Sequence, residues 1–306
     1  MDSIPQKVID FQINCAGQLL DLSAGPQIMG ILNTTPDSFY DGGKFHGKNK
    51  SIDLDQAVDH ALEMIRNGAS IIDIGGESSR PGAEKISAKE EIERTLPLIT
   101  LLRKKSDILI SIDTYKAEVA EKALQAGVHI INDISGFTFD DALPRVCQRY
   151  QAAAILMHTP VKPEAMHWNT KAGCSEGNII SRVTAFLEHS IAIAEKNSIN
   201  NIIIDPGFGF GKSVSDNFQL LGRLRLLHSL GKPILVGISR KSFLGNAITQ
   251  SGSEMLPPSE RLPATIAAET IALMHGASIL RVHDVAAAVQ SLLVFKTMQS
   301  ERNKTL

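Results

Sequence analysis

Short runs of apolar, mostly β-branched residues recur along the chain, and stretches with a helical period separate them. Runs of this length are typical of strands that are buried on both faces, as in a parallel sheet. The pattern predicts eight strands, at Ile28–Leu32, Ile71–Gly75, Ile108–Ile112, His129–Asn132, Ala153–Met157, Ile202–Asp205, Ile234–Gly237 and Ile279–Val282.

The intervening stretches carry apolar residues three or four positions apart, which predicts amphipathic helices. One predicted face comprises Leu54, Val58, Ala61, Leu62 and Ile65, and another comprises Ile180, Val183, Leu187, Ile191 and Ala194. Eight strands alternating with helices allow either a closed barrel or an open, doubly wound sheet. Because no dinucleotide fingerprint follows the first strand, the pattern favours an α/β fold of the (β/α)8 TIM barrel type.

The residues before Ile28 do not fit the alternating pattern. Val8–Ile13 and Leu19–Leu22 flank Ala16-Gly17-Gln18, which predicts a β-hairpin at about residues 7–23, ahead of a barrel at about residues 27–299. Two long connections, His158–Asn178 and Asn246–Pro263, are expected to be functional loops. No linker or low-complexity tract divides residues 1–306, so we expect a single domain.

Size and composition limit the class of protein. The 306 residues suit one such barrel, which needs about 250 residues. A net charge of -2 provides no general attraction for nucleic acid or for an anionic membrane. The three cysteines show no metal-ligand spacing, which indicates reduced thiols and a cytoplasmic protein. We see neither a signal peptide nor an apolar run long enough to span a membrane.

A polar residue stands at or just after the carboxyl end of every predicted strand. In a barrel these ends meet at one rim, where active sites are found. A single such residue could be a packing or capping group, but burying all of them is costly unless they bind one another or a ligand. The rim residues are Asn33, Glu77–Arg80, Asp113, Asn132-Asp133, His158, Asp205, Ser239–Lys241 and Arg281–Asp284.

The rim offers two kinds of chemistry. Asp113, Asn132 and Asp205 supply acceptors and an amide, which suit the donor-rich edge of a flat nitrogen heterocycle. A pyrophosphate or carboxylate requires cationic donors, and the last helix also presents its amino terminus beside His283. For Arg281, a salt bridge to Asp284 or another neighbour is the structural alternative. The cationic candidates are Arg80, Arg240, Lys241, Arg281 and His283.

The glycine-rich run from Asp205 to Lys212 is similar to a nucleotide-binding P-loop but has the wrong spacing. A P-loop has four residues between its first Gly and the Gly-Lys pair, whereas Gly207 and Gly211 are separated by three. We therefore reject ATP or GTP binding. The glycines instead allow the backbone and two phenylalanines to approach a planar ligand closely.

Seven stretches, in this order, strongly resemble the motifs of the dihydropteroate synthase family. The similarity spans Ile28 to about Leu293, nearly the whole predicted barrel. Ser79 stands where many members of the family have Thr. The stretches are Met29–Gly43, Asp73–Ala83, Ser111–Thr114, Ile131–Ile134, Asp205–Lys212, Gly237–Ser242 and Arg281–Asp284.

The resemblance implies condensation of 6-hydroxymethyl-7,8-dihydropterin pyrophosphate with p-aminobenzoate, by dissociative substitution, in folate biosynthesis. It also implies Mg²⁺ as cofactor, sulfonamides as inhibitors and a homodimer. The implied catalytic residues are Asp113, Lys241, Arg281 and His283, and Asn33 is the implied metal ligand. The pterin is expected to contact Asp113, Asn132, Ile134, Met157, Asp205 and Lys241. The aminobenzoate site is expected to involve Phe39, Ser79, Pro81, Phe210, Lys241 and Ser242. The pyrophosphate site is expected to involve Asn33, Ser79, Arg80, Arg281 and His283.

Two alternatives share part of this pattern. A pterin-dependent methyltransferase would have the same barrel and the pterin-holding Asp and Asn, but it would not need the first two loops or Ser239–Ser242. A non-catalytic pterin-binding paralogue is expected to have lost loop or anion-site residues, and none are missing here. Release of pyrophosphate distinguishes all three functions.

Overall fold

Eight parallel strands form the centre of the fold. The computed structural model describes residues 11–34, 53–78, 84–160, 178–249 and 254–304. Within these ranges the strands are β3 Gln27–Asn33, β4 Ile71–Gly75, β5 Leu109–Asp113, β6 Ile130–Asp133, β7 Ala153–Met157, β8 Ile202–Asp205, β9 Leu235–Val236 and β10 Ile279–Val282.

The sheet closes into a barrel. Its strand order is β8-β7-β6-β5-β4-β3-β10-β9, and a parallel bridge between Ile204 and Ile234 joins the two ends. The predicted TIM barrel is therefore confirmed. β9 is shorter than the predicted Ile234–Gly237, because only Leu235 and Val236 pair with β10. That residues 1–306 make up one domain remains a prediction.

Helices surround the barrel and connect successive strands. Several begin at a residue whose side chain accepts a hydrogen bond from the first turn, for example Asp53 before the helix Leu54–Arg66 and Ser213 before the helix Val214–Gly222. Short 3-10 helices lie at Leu224–Leu230 and Pro258–Glu260. The α-helices are α1 Leu54–Arg66, α2 Ala88–Lys105, α3 Ala117–Gln125, α4 Leu143–Tyr150, α5 Ile179–Lys196, α6 Val214–Gly222, α7 Ser242–Ile248, α8 Leu262–Met274 and α9 Val285–Lys304.

The two predicted helix faces differ in how well they match the structure. The five residues predicted for α5 are all buried. In α1 the buried face is displaced to include Ala57 and Met64, and the predicted Leu54, Leu62 and Ile65 are only partly buried at its edge. None of the described helices has the length and apolar content needed to cross a membrane.

An amino-terminal hairpin covers one end of the barrel. Its strands are β1 Gln12–Cys15 and β2 Gln18–Asp21, and Ala16 and Gly17 form the turn with φ angles of 49° and 92°. Two successive positive φ values characterise the tight hairpin turn that matches strand twist, so the loop is one residue shorter than predicted. The predicted residues 7–10 lie outside the described ranges.

The hairpin and the lower half of the barrel interior share one apolar cluster. Side chains alternate along each strand, so every second residue faces the interior. Next along the strands, at the opposite end from the hairpin, the inward positions become polar. The site can therefore lie only at the carboxyl end of the strands. The apolar cluster contains Ile13, Cys15, Leu20, Leu22, Met29, Ile71, Leu109, Ile130, Ala153, Ile155, Ile203, Leu235 and Ile279.

Candidate active site

Polar side chains fill the barrel interior above the apolar cluster. They come from positions two or four residues beyond its inward-facing members, so strand alternation directs them into the same space. The predicted Asp113, Asn132, Asp205 and Arg281 are among them. Asp73 and Ser111 also belong to this group and were not predicted as site residues, and both are fully buried.

Arg281 connects three strands of the barrel. Its Nε lies 2.6 Å from Asp73 Oδ2, and its Nη2 lies 2.8 Å from Asp113 Oδ2. Asp73 Oδ2 also accepts a hydrogen bond from Asn132 Nδ2 at 3.0 Å. The alternative proposed from sequence, a salt bridge from Arg281 to Asp284 or another neighbour, is confirmed for Asp73 and Asp113 and not for Asp284, which is paired with Arg240. The short distances from Arg281 to two carboxylates define the centre of the site.

Asp113 is a carboxyl group with unusual ionisation. Burial raises the pKa of Asp113 to about 7, and Arg281 opposes this shift. The charges of Asp73, Glu91 and Asp133 raise the pKa further. The side chain keeps 15% exposure, so it can reach a ligand in the barrel mouth. Asp113 can therefore change its charge near neutral pH.

Lys241 reaches the barrel mouth from the start of α7. Its Nζ donates to the carbonyl oxygen of Phe208 and lies 4.5 Å from the centre of the Phe210 ring. Burial lowers the pKa of Lys241 to about 8, while the charge of Asp205 acts in the opposite direction. A Cβ at Gly209 would lie only 2.9 Å from Lys241 Cδ, so this glycine makes room for the lysine. Lys241 thus lies between an acidic group and an aromatic ring.

Asp205 both ends β8 and begins the loop beneath Lys241. Its Oδ1 accepts from Gly207 N at 2.7 Å, which leaves Oδ2 for a ligand. Burial raises the pKa of Asp205, and the charge of Lys241 opposes this effect. Asp205 is 5% exposed, so its ionised form depends on nearby cations.

Lys212 fastens the loop that follows Asp205. Its Nζ lies 2.8 Å from His158 Nδ1 and donates to Gly207 O at 2.6 Å and to Phe210 O at 3.3 Å. Burial and the lysine charge lower the pKa of His158 far below its usual value, so the imidazole remains neutral and can accept this bond. His158 is therefore a buried support for the loop, and the glycine-rich run holds its own backbone.

Two further cationic residues, His283 after β10 and Arg240 after β9, have different hydrogen-bond partners. His283 Nδ1 lies 3.0 Å from Ser239 Oγ, which also accepts from His283 N at 3.2 Å. Ser239 Oγ therefore contacts both the backbone and the ring of His283 and holds the imidazole in place. Arg240 instead makes two bonds to Asp284, at 2.8 and 2.6 Å, and adopts a φ of 56°. Its pairing fixes the start of α9, whose amino terminus favours an anion.

Asn33 ends β3 beside Asp113. A Cβ at Gly75 would lie 2.8 Å from Asn33 Oδ1 and 3.7 Å from Asp113 Cβ, so Gly75 leaves space for both side chains. Among the described residues no group of three or more His, Cys, Asp or Glu side chains could hold a metal ion. One amide oxygen fits Mg²⁺ only if the ion arrives with phosphate oxygens, which is how Mg²⁺ is commonly bound.

The second loop begins at a buried ionic cluster. Lys116 Nζ lies 2.6 Å from Glu91 Oε2 and 3.2 Å from Glu77 Oε1, and it donates to Ile86 O at 2.9 Å. Glu77 Oε1 also accepts from Ile86 N. These bonds bring together the two ends of the segment that carries three predicted site residues. Those three, Ser79, Arg80 and Pro81, lie outside the described residues, as does Phe39.

Three other predicted residues lie at or next to the ends of elements. Ile134 and Met157 are buried at the ends of β6 and β7, and Ser242 begins α7. Asp133, which also stands at a predicted strand end, is structural, because it accepts bonds from Ser135 N, Ser135 Oγ and Phe137 N. The sequence patterns did not identify Asp73 as a site residue, although it begins one of the stretches that carry the family resemblance. A charged residue within an apolar strand was the signal that could have identified it.

Known proteins give the family directly. The profile of the family described as "Pterin binding enzyme" matches residues 29–283. The dihydropteroate synthase of Synechocystis is 45% identical over 274 residues, which cover 89% of this chain and 90% of that protein. This chain belongs to the dihydropteroate synthase family of pterin-binding enzymes. The resemblance seen in the sequence motifs is therefore confirmed.

Solved structures of dihydropteroate synthases have the same fold. The Yersinia pestis enzyme, solved with a sulfonamide drug, has a TM-score of 0.85 and 38% identity, covering 95% of this chain and all of that one. The Xanthomonas albilineans enzyme, solved with 4-aminobenzoic acid, has a TM-score of 0.82 and 39% identity, covering 95% and 98%. As a member of the dihydropteroate synthases, the chain is a transferase of folate biosynthesis.

Proposed function

We propose that the barrel mouth joins the pterin methylene carbon to p-aminobenzoate by dissociative substitution. The observation that carries the proposal is the cluster of Asp113, Asn132, Asp205, Lys241 and Arg281 at one end of one barrel. These groups are suited to hold a heterocycle and to stabilise charge as it separates. The two nearest alternatives, a methyltransferase and a binding paralogue, do not account for an anion site beside the pterin groups.

The pterin ring would lie among the inward-facing side chains. Asp205 Oδ2 and the oxygen of Asn132 are acceptors for the amino and ring N–H groups of the pterin edge. Lys241 provides a donor from the other side. Ile134 and Met157 are placed to cover the ring faces. Asp113 would lie at the reacting end, where the exocyclic carbon is attached.

Bond cleavage comes first in the proposed mechanism. The C–O bond to pyrophosphate breaks, its electron pair leaves with the pyrophosphate, and the dihydropterin spreads the resulting positive charge. Ionised Asp113 stabilises that charge, because a carboxylate in a partly buried site acts through a low dielectric. Arg281, His283 and the amino terminus of α9 stabilise the leaving group.

The metal would be held by Asn33 together with pyrophosphate oxygens. When bound, magnesium supplies positive charge to the leaving group. The position of Asn33 beside Gly75 and Asp113 supports this assignment. Arg80 and Ser79 are proposed to complete the pyrophosphate site from the second loop.

Addition of the amine completes the proposed reaction. The aniline nitrogen of p-aminobenzoate attacks the methylene carbon, a C–N bond forms, and a proton passes to solvent. The amine is neutral near pH 7, so no dedicated general base is required. The aminobenzoate pocket is proposed to use Phe210, Lys241 and Ser242, together with Phe39, Ser79 and Pro81. Sulfonamides are proposed to compete for the same pocket.

A homodimer is proposed from the apolar surface of the last two helices. Large apolar side chains are exposed on α8 and α9, which pack against each other. Exposed apolar patches on adjacent helices are typical of subunit contacts. Sedimentation velocity checks the proposal, since substituting Val294 by Glu should give a monomer. The exposed residues are Ile271, Met274, Leu293, Val294 and Met298.

A cytoplasmic location is also proposed, because Cys15 and Cys147 are free and buried.

A product assay tests the proposed reaction. The purified protein is incubated with magnesium, the pterin pyrophosphate and p-aminobenzoate, and both pyrophosphate and dihydropteroate are measured. We expect equal amounts of the two products. Binding of the pterin pyrophosphate without product would indicate a binding paralogue. Methyl transfer from a methylated folate without pyrophosphate release would indicate a methyltransferase.

A further inference from the structure

Asp73 is a buried carboxylate at the centre of the site, and the reaction as described gives it no role. Its side chain is fully buried, and β4 directs it into the barrel interior. Oδ2 accepts two hydrogen bonds, from Arg281 Nε at 2.6 Å and from Asn132 Nδ2 at 3.0 Å. Within the described residues Oδ1 is buried and has no hydrogen-bond partner. One oxygen atom therefore joins two residues assigned to different parts of the substrate.

We propose that Asp73 is a positioning residue that fixes the Asn132 amide and the Arg281 guanidinium for the reaction. This inference rests on the proposed pterin pocket. Asp73, beneath the ligand, would determine which ring edge the pocket accepts. A carboxylate accepts hydrogen bonds and cannot donate them when ionised. Asp73 therefore selects the orientation of every donor that it contacts.

The first consequence concerns Asn132. An amide side chain can turn over and exchange its oxygen and nitrogen, which would reverse what it offers a ligand. Because Nδ2 is bound to Asp73, the oxygen must face away from Asp73. Asn132 is therefore a fixed acceptor, and the pocket favours a ring edge that donates hydrogen bonds at this position.

The second consequence concerns Arg281. The bond from Nε to Asp73 fixes the plane of the guanidinium, and Nη2 is then directed at Asp113. Nη1 makes no hydrogen bond to any of the described residues and can reach an oxygen of the leaving group. A guanidinium held in this way keeps its geometry, so less freedom is lost when the anion binds. Asp73 is thus the fixed end of a chain from β4 to Asp113.

Charge at this position has a separate effect on Asp113. Asp73 contributes to the raised pKa of Asp113, along with Glu91 and Asp133, whereas Arg281 lowers it. Arg281 is also paired with Asp73, which weakens the effect of the arginine charge on Asp113. Removing the negative charge of Asp73 should therefore lower the pKa of Asp113. The pH profile can detect this change, which loss of packing alone would not produce.

Two variants of Asp73 test the inference, with Asp140→Asn as the control. Asp140 is a structural aspartate that accepts from Ala117 N and Ala142 N, and it does not contact the site. Asp73→Ala removes both contacts and should lower kcat/KM for the pterin pyrophosphate about 100-fold, the effect of misplacing a substrate by about 1 Å. The KM for p-aminobenzoate should change less, by about 3-fold at most.

Asp73→Asn keeps an oxygen of the same shape but removes the charge. The amide oxygen can still accept from Arg281 and Asn132, so kcat/KM should recover about 10-fold relative to Asp73→Ala. The acid limb of its kcat/KM profile for the pterin pyrophosphate should move to lower pH than in the wild type, and the limb of Asp140→Asn should not move. If Asp73→Ala does not fold, the acid limb of Asp73→Asn decides the question.

Two results would overturn the inference. One is an Asp73→Ala enzyme with the kcat/KM of the wild type, and the other is an unmoved acid limb in Asp73→Asn. Failure of the proposed function is distinguishable, because the wild-type protein would then release no pyrophosphate from the pterin pyrophosphate in the presence of p-aminobenzoate.

Discussion

Arg281 Nη2 lies 2.8 Å from Asp113 Oδ2, so the arginine proposed to bind pyrophosphate and the carboxylate proposed to face the pterin are in direct contact. The pair sits where the reaction separates charge, with the cation forming on one side and the pyrophosphate leaving on the other. Each partner can stabilise one of the two charges. The ion pair favours the ionised form of Asp113 and so opposes the effect of burial, which raises the pKa of this carboxyl group.

Asp113→Asn tests the role of the carboxylate in turnover. The amide has the same shape but no charge, so it cannot stabilise the developing cation. We expect kcat to fall about 100-fold or more, as when a single electrostatic stabiliser is removed, with the Kd of the pterin pyrophosphate nearly unchanged. Steady-state kinetics and calorimetric titration measure the two quantities. Unchanged turnover would remove Asp113 from the mechanism.

The pH dependence of kcat/KM for the pterin pyrophosphate provides an independent test of Asp113. The pKa of Asp113 is raised to about 7, so the carboxylate is lost as pH falls through this value. Because kcat/KM reports the free enzyme, we expect it to decline below about pH 7 and to level off above it. The decline should be absent in Asp113→Asn, which has no carboxylate to protonate. A wild-type profile that stays flat from pH 8 to pH 5.5 would contradict this assignment.

Lys241→Ala tests whether one lysine serves two ligands. Its Nζ lies between Asp205, on the pterin side, and the Phe210 ring, on the aminobenzoate side. The loss of a charged hydrogen bond to each ligand should weaken both by about 10-fold or more. Titration of the pterin pyrophosphate and the KM for p-aminobenzoate report the two sites. An effect on one ligand alone would show that the lysine is not shared.

Lys212→Met tests the support of the glycine-rich loop. Methionine fills a similar volume but cannot donate to His158, Gly207 and Phe210. Because the loop positions Phe208 O and Phe210 against Lys241, we expect the KM for p-aminobenzoate to rise, by about 10-fold. Lys232→Met, at a surface ion pair with Glu195, is the control. If both variants behaved like the wild type, the loop would not depend on Lys212.

Glu269 on α8 is expected to destabilise the protein as pH rises. The residue is 1% exposed, and burial raises its pKa to about 8, with Asp284 adding to the shift. The folded state therefore holds a proton that the unfolded state has lost, so stability decreases from about pH 4.5 through about pH 8. Glu269→Gln should raise Tm by about 2 °C or more near pH 8 and change it little near pH 5.

An exposed glutamate provides the comparison for this stability effect. Glu188 lies on the exposed face of α5, and Glu188→Gln should leave Tm unchanged at both pH values. Thermal unfolding followed by circular dichroism measures all three proteins. An equal stabilisation of Glu269→Gln at pH 5 and pH 8 would show that the proton is not the cause.

The barrel and the position of Asp113, Asn132 and Asp205 at its carboxyl end could be predicted from the sequence for one physical reason. Buried parallel strands read as apolar runs, and the polar residue that ends each run must reach the common rim. Asp113, Asn132 and Asp205 all follow this rule. Four of the eight barrel strands have the predicted bounds, and the other four differ by one residue at each end, because side-chain pattern does not determine the last ladder hydrogen bond.

The contacts among these residues could not be predicted in the same way. Asp73 and Arg281 are 208 positions apart, and His158 and Lys212 are 54 apart, so only the order of the strands in the sheet brings them together. Periodicity indicates which face a residue lies on and says nothing about its partner on another strand. For this reason the sequence could suggest a salt bridge for Arg281 but could not identify Asp73 and Asp113 as its partners.

In the proposed dissociative mechanism, the site stabilises a pterin cation as pyrophosphate leaves. The secondary deuterium isotope effect at the pterin methylene carbon tests it most directly, measured on kcat/KM with the dideuterated pterin pyrophosphate and the wild-type protein. A carbon that becomes trigonal before the amine attacks gives a normal effect, and the account predicts a value clearly above unity. A value at or below unity would mean that the amine attacks while the C–O bond is still largely intact, and it would contradict the account.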